Sequence, residues 1–288
     1  MEHHGNLIPW QLLAQEKRVQ LVFLEIRDGR LEIDRLSRML TERTRLVAVT
    51  YVSNVLGTIN PVQRIVEMAH AAGAVVLIDA AQAIPHIAID VQELGCDFLV
   101  FSGHKMLGPN GIGVLYGNPS LLDNMPPFMG GGEMIREVWT TKATWNALPW
   151  KFEAGTPNVA GAIGLAAAIE YLEDVGMETI LAHGKALVRE AMAALSELEG
   201  VTLYGPTEAD ERIPLIAFNC HGIHSHDLAA ALDQDGIAVR AGHHCAQPLM
   251  RHFGVPGTVR ASFYLYNTQA EVQALIHAVE RVRSFGGR

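Results

Sequence analysis

Short runs of apolar residues recur along the first half of the chain, and each has the length of one buried strand. The runs cover residues 46–52, 74–79 and 97–102. Between the first two, residues 61–72 have the pattern of a helix that starts at Pro61 and stops at Gly73. Continuous apolar strands that alternate with helices are typical of a parallel sheet covered on both faces. The pattern therefore predicts an α/β fold built on a mainly parallel sheet.

The pattern changes after residue 125. Residues 126–157 contain Gly130-Gly131-Gly132 and several tryptophans but little periodicity, so they are predicted to form a long loop of functional or interfacial character. The elements predicted beyond it are helices over 161–172 and 177–198, strands near 213–219, 238–240 and 259–264, and a terminal helix after Thr268. The sequence thus predicts a large domain over residues 1–170 and a smaller α+β domain over residues 171–288.

Composition narrows the functional classes. Of the 288 residues, 49% are hydrophobic and 18% are charged, which fits a compact globular protein. A net charge of −9 without a basic stripe argues against nucleic-acid binding. No apolar run is long enough to span a bilayer, and the N-terminus has no leader-like pattern. The three cysteines are far apart and odd in number, so we expect a reducing, cytoplasmic setting without a disulfide framework.

Polar residues gather just beyond the predicted strands. They are Asn54, Asp79, Gln82, Ser102, His104 and Lys105. Ligands of open α/β sheets bind at the carboxyl ends of the strands, so these residues are expected to converge on one site. Lys105 and Asp79 form the pair that pyridoxal 5'-phosphate (PLP) enzymes need, because the lysine attaches the cofactor's aldehyde and the aspartate pairs with the protonated ring nitrogen. The alternative interpretations are a solvated turn lysine and an aspartate that caps a helix.

Further roles around the cofactor follow from side-chain chemistry. Gln82 can donate a hydrogen bond to the ring oxygen, and Asn54 reaches the same region. Ser102 and His104 flank the lysine and can bind phosphate through hydroxyl, imidazole and backbone N–H groups. His3 is predicted to stack on the ring face, and a frayed chain end is its alternative interpretation.

A second constellation is the segment RAGHHCA, from Arg240 to Ala246. Adjacent histidines beside a cysteine could suggest zinc, but such side chains diverge and no second ligand cluster lies at metal spacing, so no metal is predicted. A reactive thiol is favoured, because the glycine loop exposes Cys245 while the histidines and Arg240 favour its thiolate. Cys96 and Cys220 lie in or beside apolar strands and are predicted to be inert.

Arg260 interrupts a predicted strand of small and apolar residues. A buried arginine needs an anionic partner, since an unpaired internal charge is costly. An acidic side chain is one candidate. The carboxylate of an amino-acid substrate, held by two parallel hydrogen bonds, is the favoured one.

Residues 96–115, CDFLVFSGHKMLGPNGIGVL, resemble the PLP-attachment signature of class-V aminotransferase-like proteins. The whole chain resembles the group II (SUF-type) cysteine desulfurases, a group that includes selenocysteine lyases and has PLP fold type I. The motifs are EHH at 2–4, VSNVLG at 52–57, DAAQA at 79–83, SGHK at 102–105, FEAGTPN at 152–158, RAGHHCA at 240–246, RAS at 260–262 and YNT at 266–268. They follow the order of the family, and the RxGHHCA loop is specific to group II.

The resemblance implies a cofactor site and a quaternary structure. The residues it assigns to PLP are His3, Asn54, Asp79, Gln82, Ser102, His104, Lys105 and Thr156. Thr156 is expected to reach the phosphate bound by the other subunit, which implies a homodimer. Lys105 would attach the cofactor and later carry protons.

The resemblance also implies the reaction. Arg260 would bind the carboxylate of L-cysteine, with Arg240 and Asn54 as further substrate contacts. Cys245 would attack the substrate sulfur, releasing L-alanine and leaving a persulfide for a sulfur-acceptor protein of iron–sulfur cluster assembly. With Lys105 and His3, Cys245 completes the expected catalytic set.

Family members carry a segment before the Glu-His-His motif, and it includes a Gly-Thr-Thr turn that anchors the cofactor phosphate. Because this chain begins at the motif, we expect it to be an N-terminally truncated form of the fold. Two alternatives stay open. One is a selenocysteine lyase acting on L-selenocysteine, in which the cysteine matters less, and the other is a catalytically impaired fragment that acts through binding.

Overall fold

Helices and strands alternate through the first half of the chain, as the apolar runs predicted. The computed structural model describes residues 1–286. Its elements up to residue 124 are α1 (Ile8–Lys17), β1 (Ile26–Arg27), β2 (Arg30–Leu31), α2 (Ile33–Met39), β3 (Leu46–Thr50), α3 (Val62–Ala71), β4 (Val75–Asp79), α4 (Val91–Leu94), β5 (Phe98–Ser102), β6 (Gly113–Gly117) and α5 (Pro119–Asn124). The elements that follow are β7 (Ile135–Val138), β8 (Ala143–Trp145), α6 (Val159–Val175), α7 (Met177–Glu197), β9 (Val201–Tyr204), β10 (Leu215–Cys220), α8 (Ser225–Asp233), β11 (Arg240–Gly242), α9 (Gln247–Phe253), β12 (Thr258–Ser262) and α10 (Gln269–Gly286).

The first large sheet has the spatial order β3-β4-β5-β6. Strands β3, β4 and β5 are parallel, and β6 adds an antiparallel edge. Val76 and Ile78 of β4 are fully buried, and α3 covers them with apolar residues spaced three and four apart. The mainly parallel sheet predicted from the sequence is confirmed.

The second large sheet, of order β11-β12-β10-β9, is entirely antiparallel. Its inner face packs on α7, α8 and α10 around fully buried residues such as Phe218 and Val259. The smaller α+β unit therefore has the predicted kinds of element. Helix α6 runs through residue 170 without a break, and the division of the chain at that residue stays a prediction.

One turn joins the two sheets and positions the site. After β3, Gly57 accepts a hydrogen bond at its carbonyl from Ile213 N (3.0 Å), and Ile59 N donates to Glu211 O (2.9 Å). Gly57 has φ 71°, and a Cβ there would meet the Leu215 carbonyl at 3.1 Å, so the turn requires glycine. The segment before it, which contains Asn54, is thereby held against the antiparallel sheet.

Two of the predicted boundaries are wrong. The strand expected at residues 238–240 lies at Arg240–Gly242 instead. The loop expected over 126–157 contains the hairpin β7–β8 and a 3-10 turn at Trp150–Phe152. The hairpin was missed because its residues are exposed or half-buried and so show no apolar run. In residues 1–286, no helix has the length and apolar character needed to cross a membrane.

Candidate active site

A cavity of about 370 Å³ opens at the carboxyl ends of the parallel strands. Six of the predicted site residues line it: His3, Asn54, Asp79, Gln82, Ser102 and Lys105. The volume lies within the range of small-molecule sites, and the position is where ligands of parallel sheets bind. Of the six residues expected to converge beyond the strand ends, all but His104 therefore meet at one cavity.

Lys105 and Asp79 reach the cavity from neighbouring strands. Asp79 is the last residue of β4, and Lys105 ends the 3-10 turn that follows β5. The Asp79 carboxylate also accepts a hydrogen bond from Ala81 N (3.0 Å), which shapes a turn, whereas the next helix begins at Val91 with Asp90 as its N-cap, so the helix-capping alternative for Asp79 is not observed. One side chain thus shapes the turn after β4 and gives the cavity a negative charge.

Burial lowers the pKa of Lys105, and the charges of Arg260 and Arg240 lower it further. Asp79 and the Cys245 thiolate act in the opposite direction. Desolvation disfavours the charged ammonium form. The result is an amine that is easier to deprotonate than an exposed lysine, which suits attack on an aldehyde.

His3 is fixed in orientation by a local hydrogen bond. Its Nδ1 accepts from Gly5 N at 2.9 Å, so in the neutral ring the proton sits on Nε2. Burial is the main cause that lowers the pKa of His3, followed by the charge of Lys105. A neutral imidazole at the cavity wall is the form expected to stack on an aromatic ring.

A polar chain beside His3 was missed by the sequence analysis. Trp10 Nε1 donates to Asn6 Oδ1 (3.0 Å), and Asn6 Nδ2 donates to Glu2 Oε2 (2.7 Å). The other Glu2 oxygen accepts from Thr50 N at the end of β3 (3.0 Å). The chain ties the segment that carries His3 to the parallel sheet. Spacing of four residues between Glu2, Asn6 and Trp10 was the signal that could have revealed it.

Cys245 lies on a constrained loop between β11 and α9. Its φ is 56° and that of His244 is 54°, so two successive residues occupy the left-handed region that side chains disfavour. The His244 carbonyl accepts from Asn54 Nδ2 (2.6 Å), and the Cys245 carbonyl accepts from His4 N (2.7 Å). These bonds hold the strained loop against the first sheet.

The expectation that both histidines favour the Cys245 thiolate is wrong for His244. Its buried ring donates from Nε2 to the Thr258 carbonyl (2.9 Å), and burial lowers its pKa to about 4. It is therefore neutral at pH 7 and carries no charge toward the thiol. His243 is exposed. The positive group beside Cys245 is Arg240, whose Nη2 lies 3.9 Å from Sγ.

The other two thiols are confirmed as core residues. Cys96 and Cys220 are both buried and free. Burial raises the pKa of each thiol to about 11. They stay protonated at neutral pH, so Cys245 is the nucleophile candidate of the chain.

Arg260 sits on β12 with an unsatisfied donor. Its Nη1 donates to the Asn54 carbonyl (2.8 Å), whereas the buried Nε has no partner among the described residues. Burial, followed by the charge of Arg240, lowers the pKa of Arg260 to about 10, so the group remains a cation at pH 7. A half-buried cation whose Nε is buried without a partner is suited to a carboxylate ligand.

His104 and Thr156 do not line the cavity. His104 lies in the 3-10 turn between Ser102 and Lys105, and its side chain is exposed. Thr156 is exposed on the loop before α6. Their assignment to the cofactor phosphate stays a prediction.

The residues present fit PLP. Within residues 1–286, Asn54 Oδ1 and Arg260 Nε are buried polar atoms without partners, and both belong to residues at the site. Lys105 offers an amine, Asp79 a carboxylate, and His3 a flat ring around one cavity. These groups match the aldehyde, ring nitrogen and ring face of the cofactor.

Known proteins share this architecture. Residues 1–275 match the aminotransferase class-V family. A probable cysteine desulfurase of Halalkalibacterium halodurans is 54% identical over 288 residues, which are 100% of this chain and 70% of that protein. The crystal structure of the cysteine desulfurase CsdA (S-sulfonic acid) from Escherichia coli is 44% identical, with a TM-score of 0.94 over 99% of this chain and 70% of that one. The apo structure of a cysteine desulfurase from Thermococcus onnurineus is 42% identical, with a TM-score of 0.95 over 99% and 71%.

Proposed function

The chain belongs to the class-V aminotransferase family of PLP fold type I, among its cysteine desulfurases, and we propose that it converts L-cysteine to L-alanine with Cys245 as the sulfur-accepting thiol. The observation that carries the proposal is the placement of Cys245. Its loop is bonded to Asn54, which lines the cavity, and to His4, which follows the cavity residue His3. A nucleophilic thiol beside a lysine–aspartate site is what extraction of sulfur from an amino acid requires.

PLP bound in the cavity supplies an electron sink for the carbon skeleton of an amino acid. The residues proposed to hold it are Lys105 at the aldehyde, Asp79 at the ring nitrogen, Gln82 and Asn54 at the ring oxygen, His3 on the ring face, and Ser102 and His104 at the phosphate. The lowered pKa of Lys105 supports its role, since the neutral amine is the attaching form.

Arg260 is the residue proposed to bind the carboxylate of the substrate. Its unpartnered Nε and its fork of donors suit a bidentate contact with the carboxylate of L-cysteine. Arg240 adds positive charge on the adjacent strand, and the Asn54 carbonyl, which accepts from Arg260 Nη1, connects Arg260 to the cavity that Asn54 lines. The carboxylate end of the substrate is thereby directed toward the antiparallel sheet.

Cys245 is the residue proposed to accept the sulfur. Its thiolate attacks the substrate sulfur, so that a sulfur–sulfur bond forms and the carbon–sulfur bond of the substrate breaks. The electron pair of the broken bond stays with carbon, which takes a proton from Lys105 Nζ and leaves in L-alanine. The proton of the substrate thiol stays on the transferred sulfur, and the product on the protein is a persulfide. Atoms and electrons balance without an external oxidant or reductant.

We extend the proposal to partners. The Cys245 persulfide would be passed to a sulfur-acceptor protein of iron–sulfur cluster assembly, in a cytoplasmic setting consistent with three free cysteines. The enzyme would act as a homodimer in which Thr156 reaches the partner's cofactor phosphate. Exposed apolar residues near that loop, including Phe128 and the three tryptophans Trp139, Trp145 and Trp150, support a covered surface there.

The test is alanine formation from L-cysteine by the chain reconstituted with PLP. Wild-type protein is expected to form alanine, whereas Lys105→Ala and Cys245→Ala are expected to form none above background. Cys220→Ala is the matched control and should retain activity. A PLP-loaded wild type that forms no alanine would refute the proposal. Selenide release from L-selenocysteine that survives Cys245→Ala, while alanine formation from L-cysteine is lost, would identify a selenocysteine lyase instead.

A further inference from the structure

His4 connects the Glu-His-His segment to the cysteine loop through two separate contacts. Its backbone N donates to the Cys245 carbonyl at 2.7 Å. Its ring Nε2 accepts from Gln247 N, the first residue of α9, at 3.1 Å. Two contacts on either side of Ala246 clamp the end of the loop that carries the nucleophile.

The clamp is needed because the loop conformation is unfavourable by itself. His244 and Cys245 both have positive φ, and each such residue lowers the population of the conformation by roughly 5- to 30-fold. The Asn54 and Thr258 bonds hold the His244 end of the loop. His4 holds the Cys245 end.

We propose that His4 is a positioning residue for Cys245: by accepting the Gln247 N–H and donating to the Cys245 carbonyl, it keeps the thiol in its place beside Arg240. The backbone donation survives any side-chain substitution, so the ring acceptor is the part that can be removed. The inference rests on the proposed function, since positioning matters only if Cys245 is the nucleophile. His4 itself does not line the cavity.

Variants of His4 can keep or remove the acceptor that Nε2 provides for Gln247 N. In His4→Gln the side-chain oxygen can stand near the position of Nε2, so the acceptor is kept. In His4→Asn the same amide is one methylene shorter and cannot reach Gln247 N. His4→Phe keeps the ring shape and removes the acceptor.

The direct measurement is hydrogen–deuterium exchange of the peptide covering residues 243–250 in the PLP-loaded protein without substrate. A neutral hydrogen bond contributes enough that its loss should speed exchange there by about three- to tenfold. His4→Asn and His4→Phe are expected to show that increase and His4→Gln to match wild type. Peptides from β4 and β12 should exchange equally in all four proteins, which separates a local release from general unfolding.

The second measurement is steady-state desulfuration of L-cysteine. His4→Asn is expected to lower kcat by about three- to tenfold with KM unchanged, because Arg260 is untouched, and His4→Gln is expected to restore kcat. The proposal is overturned if His4→Gln behaves like His4→Asn, or if His4→Asn matches wild type in exchange. A wild type that makes no alanine would defeat the proposed function alone, since the exchange measurement still decides whether His4 holds the loop.

Discussion

Arg240 of β11 and Arg260 of β12 lie directly opposite each other in an antiparallel pair. Like charges in that position destabilise a sheet, by roughly 0.2–1 kcal/mol. The chain retains both arginines close enough to Lys105, which lines the cavity, for their charges to lower its pKa. A surplus of positive charge at one place is expected where an anion has to bind, because the anion relieves the repulsion when it arrives.

Arg260→Lys tests the carboxylate contact. Lysine keeps the positive charge but cannot donate to the Asn54 carbonyl and hold a carboxylate with two bonds at once. Loss of a charge-assisted hydrogen bond predicts a rise in KM for L-cysteine of about 10- to 100-fold, with a smaller effect on kcat. Steady-state kinetics measures both, and Arg251→Lys at an exposed position of α9 is the matched control. An unchanged KM would contradict the role of Arg260.

The difference in burial among the three thiols predicts that alkylation is selective for Cys245. In the native protein, iodoacetamide is expected to modify Cys245 at neutral pH and to leave Cys96 and Cys220 intact for at least about ten times longer. The reason is that Cys245 is half-exposed, whereas burial raises the pKa of the other two to about 11. Peptide mass spectrometry over time measures each site. Modification of Cys96 or Cys220 at a similar rate would show that their burial is incomplete in solution.

The hydrogen-bond chain of Glu2, Asn6 and Trp10 predicts that stability lost by changing Glu2 returns when the amide and carboxyl groups of positions 2 and 6 are exchanged. The two carboxylate oxygens of Glu2 accept hydrogen bonds from Thr50 N and from Asn6. A glutamine at position 2 has only one acceptor oxygen, so one of these bonds is lost. Glu2→Gln is therefore expected to lower the free energy of unfolding by about 1–3 kcal/mol. In Glu2→Gln/Asn6→Asp the glutamine amide donates to the carboxylate introduced at position 6, and that carboxylate still accepts from Trp10. At least half of the loss should therefore return.

Urea unfolding of the wild type, both single variants and the double variant gives the coupling energy directly. Reconstitution with PLP adds a second readout, since a shift of the segment should weaken cofactor affinity in Glu2→Gln and recover in the double variant. Additive losses, with no recovery, would mean that the chain of hydrogen bonds does not act as a unit.

Two buried histidines predict that stability falls in mild acid. Burial lowers the pKa of His86 and of His244 to about 4 each, whereas in the unfolded chain each titrates near 6.5. Between these values the unfolded chain binds more protons than the folded one, so unfolding free energy decreases as pH falls from about 6.5 to about 4. The slope is at most roughly 1.4 kcal/mol per pH unit for each histidine.

Urea unfolding between pH 4.5 and 7.5 measures this slope. His86→Phe is expected to flatten it, because it removes one of the two groups. His252→Gln, at an exposed position, should leave it unchanged. A slope that is the same in His86→Phe and wild type would place the acid sensitivity elsewhere.

The amino-acid sequence by itself determined the parallel sheet and the polar ends of its strands. Apolar runs of strand length can be read without knowledge of the fold, and parallel strands bring their carboxyl ends together by geometry. Lys105 and Asp79 could therefore be assigned to one site in advance. Cys245 could be distinguished as the reactive thiol from Cys96 and Cys220, which lie in apolar segments.

Only the tertiary structure decided how that thiol is held. Asn54 bonds the His244 carbonyl across 190 positions, and His4 accepts from Gln247 N across 243. Such contacts depend on how the two sheets pack, which no local pattern encodes. For the same reason His244 proved to be a buried neutral ring bonded to Thr258 rather than a charge beside Cys245. The bond from Thr50 N to Glu2 likewise exists only because β3 lies beside the Glu2 segment.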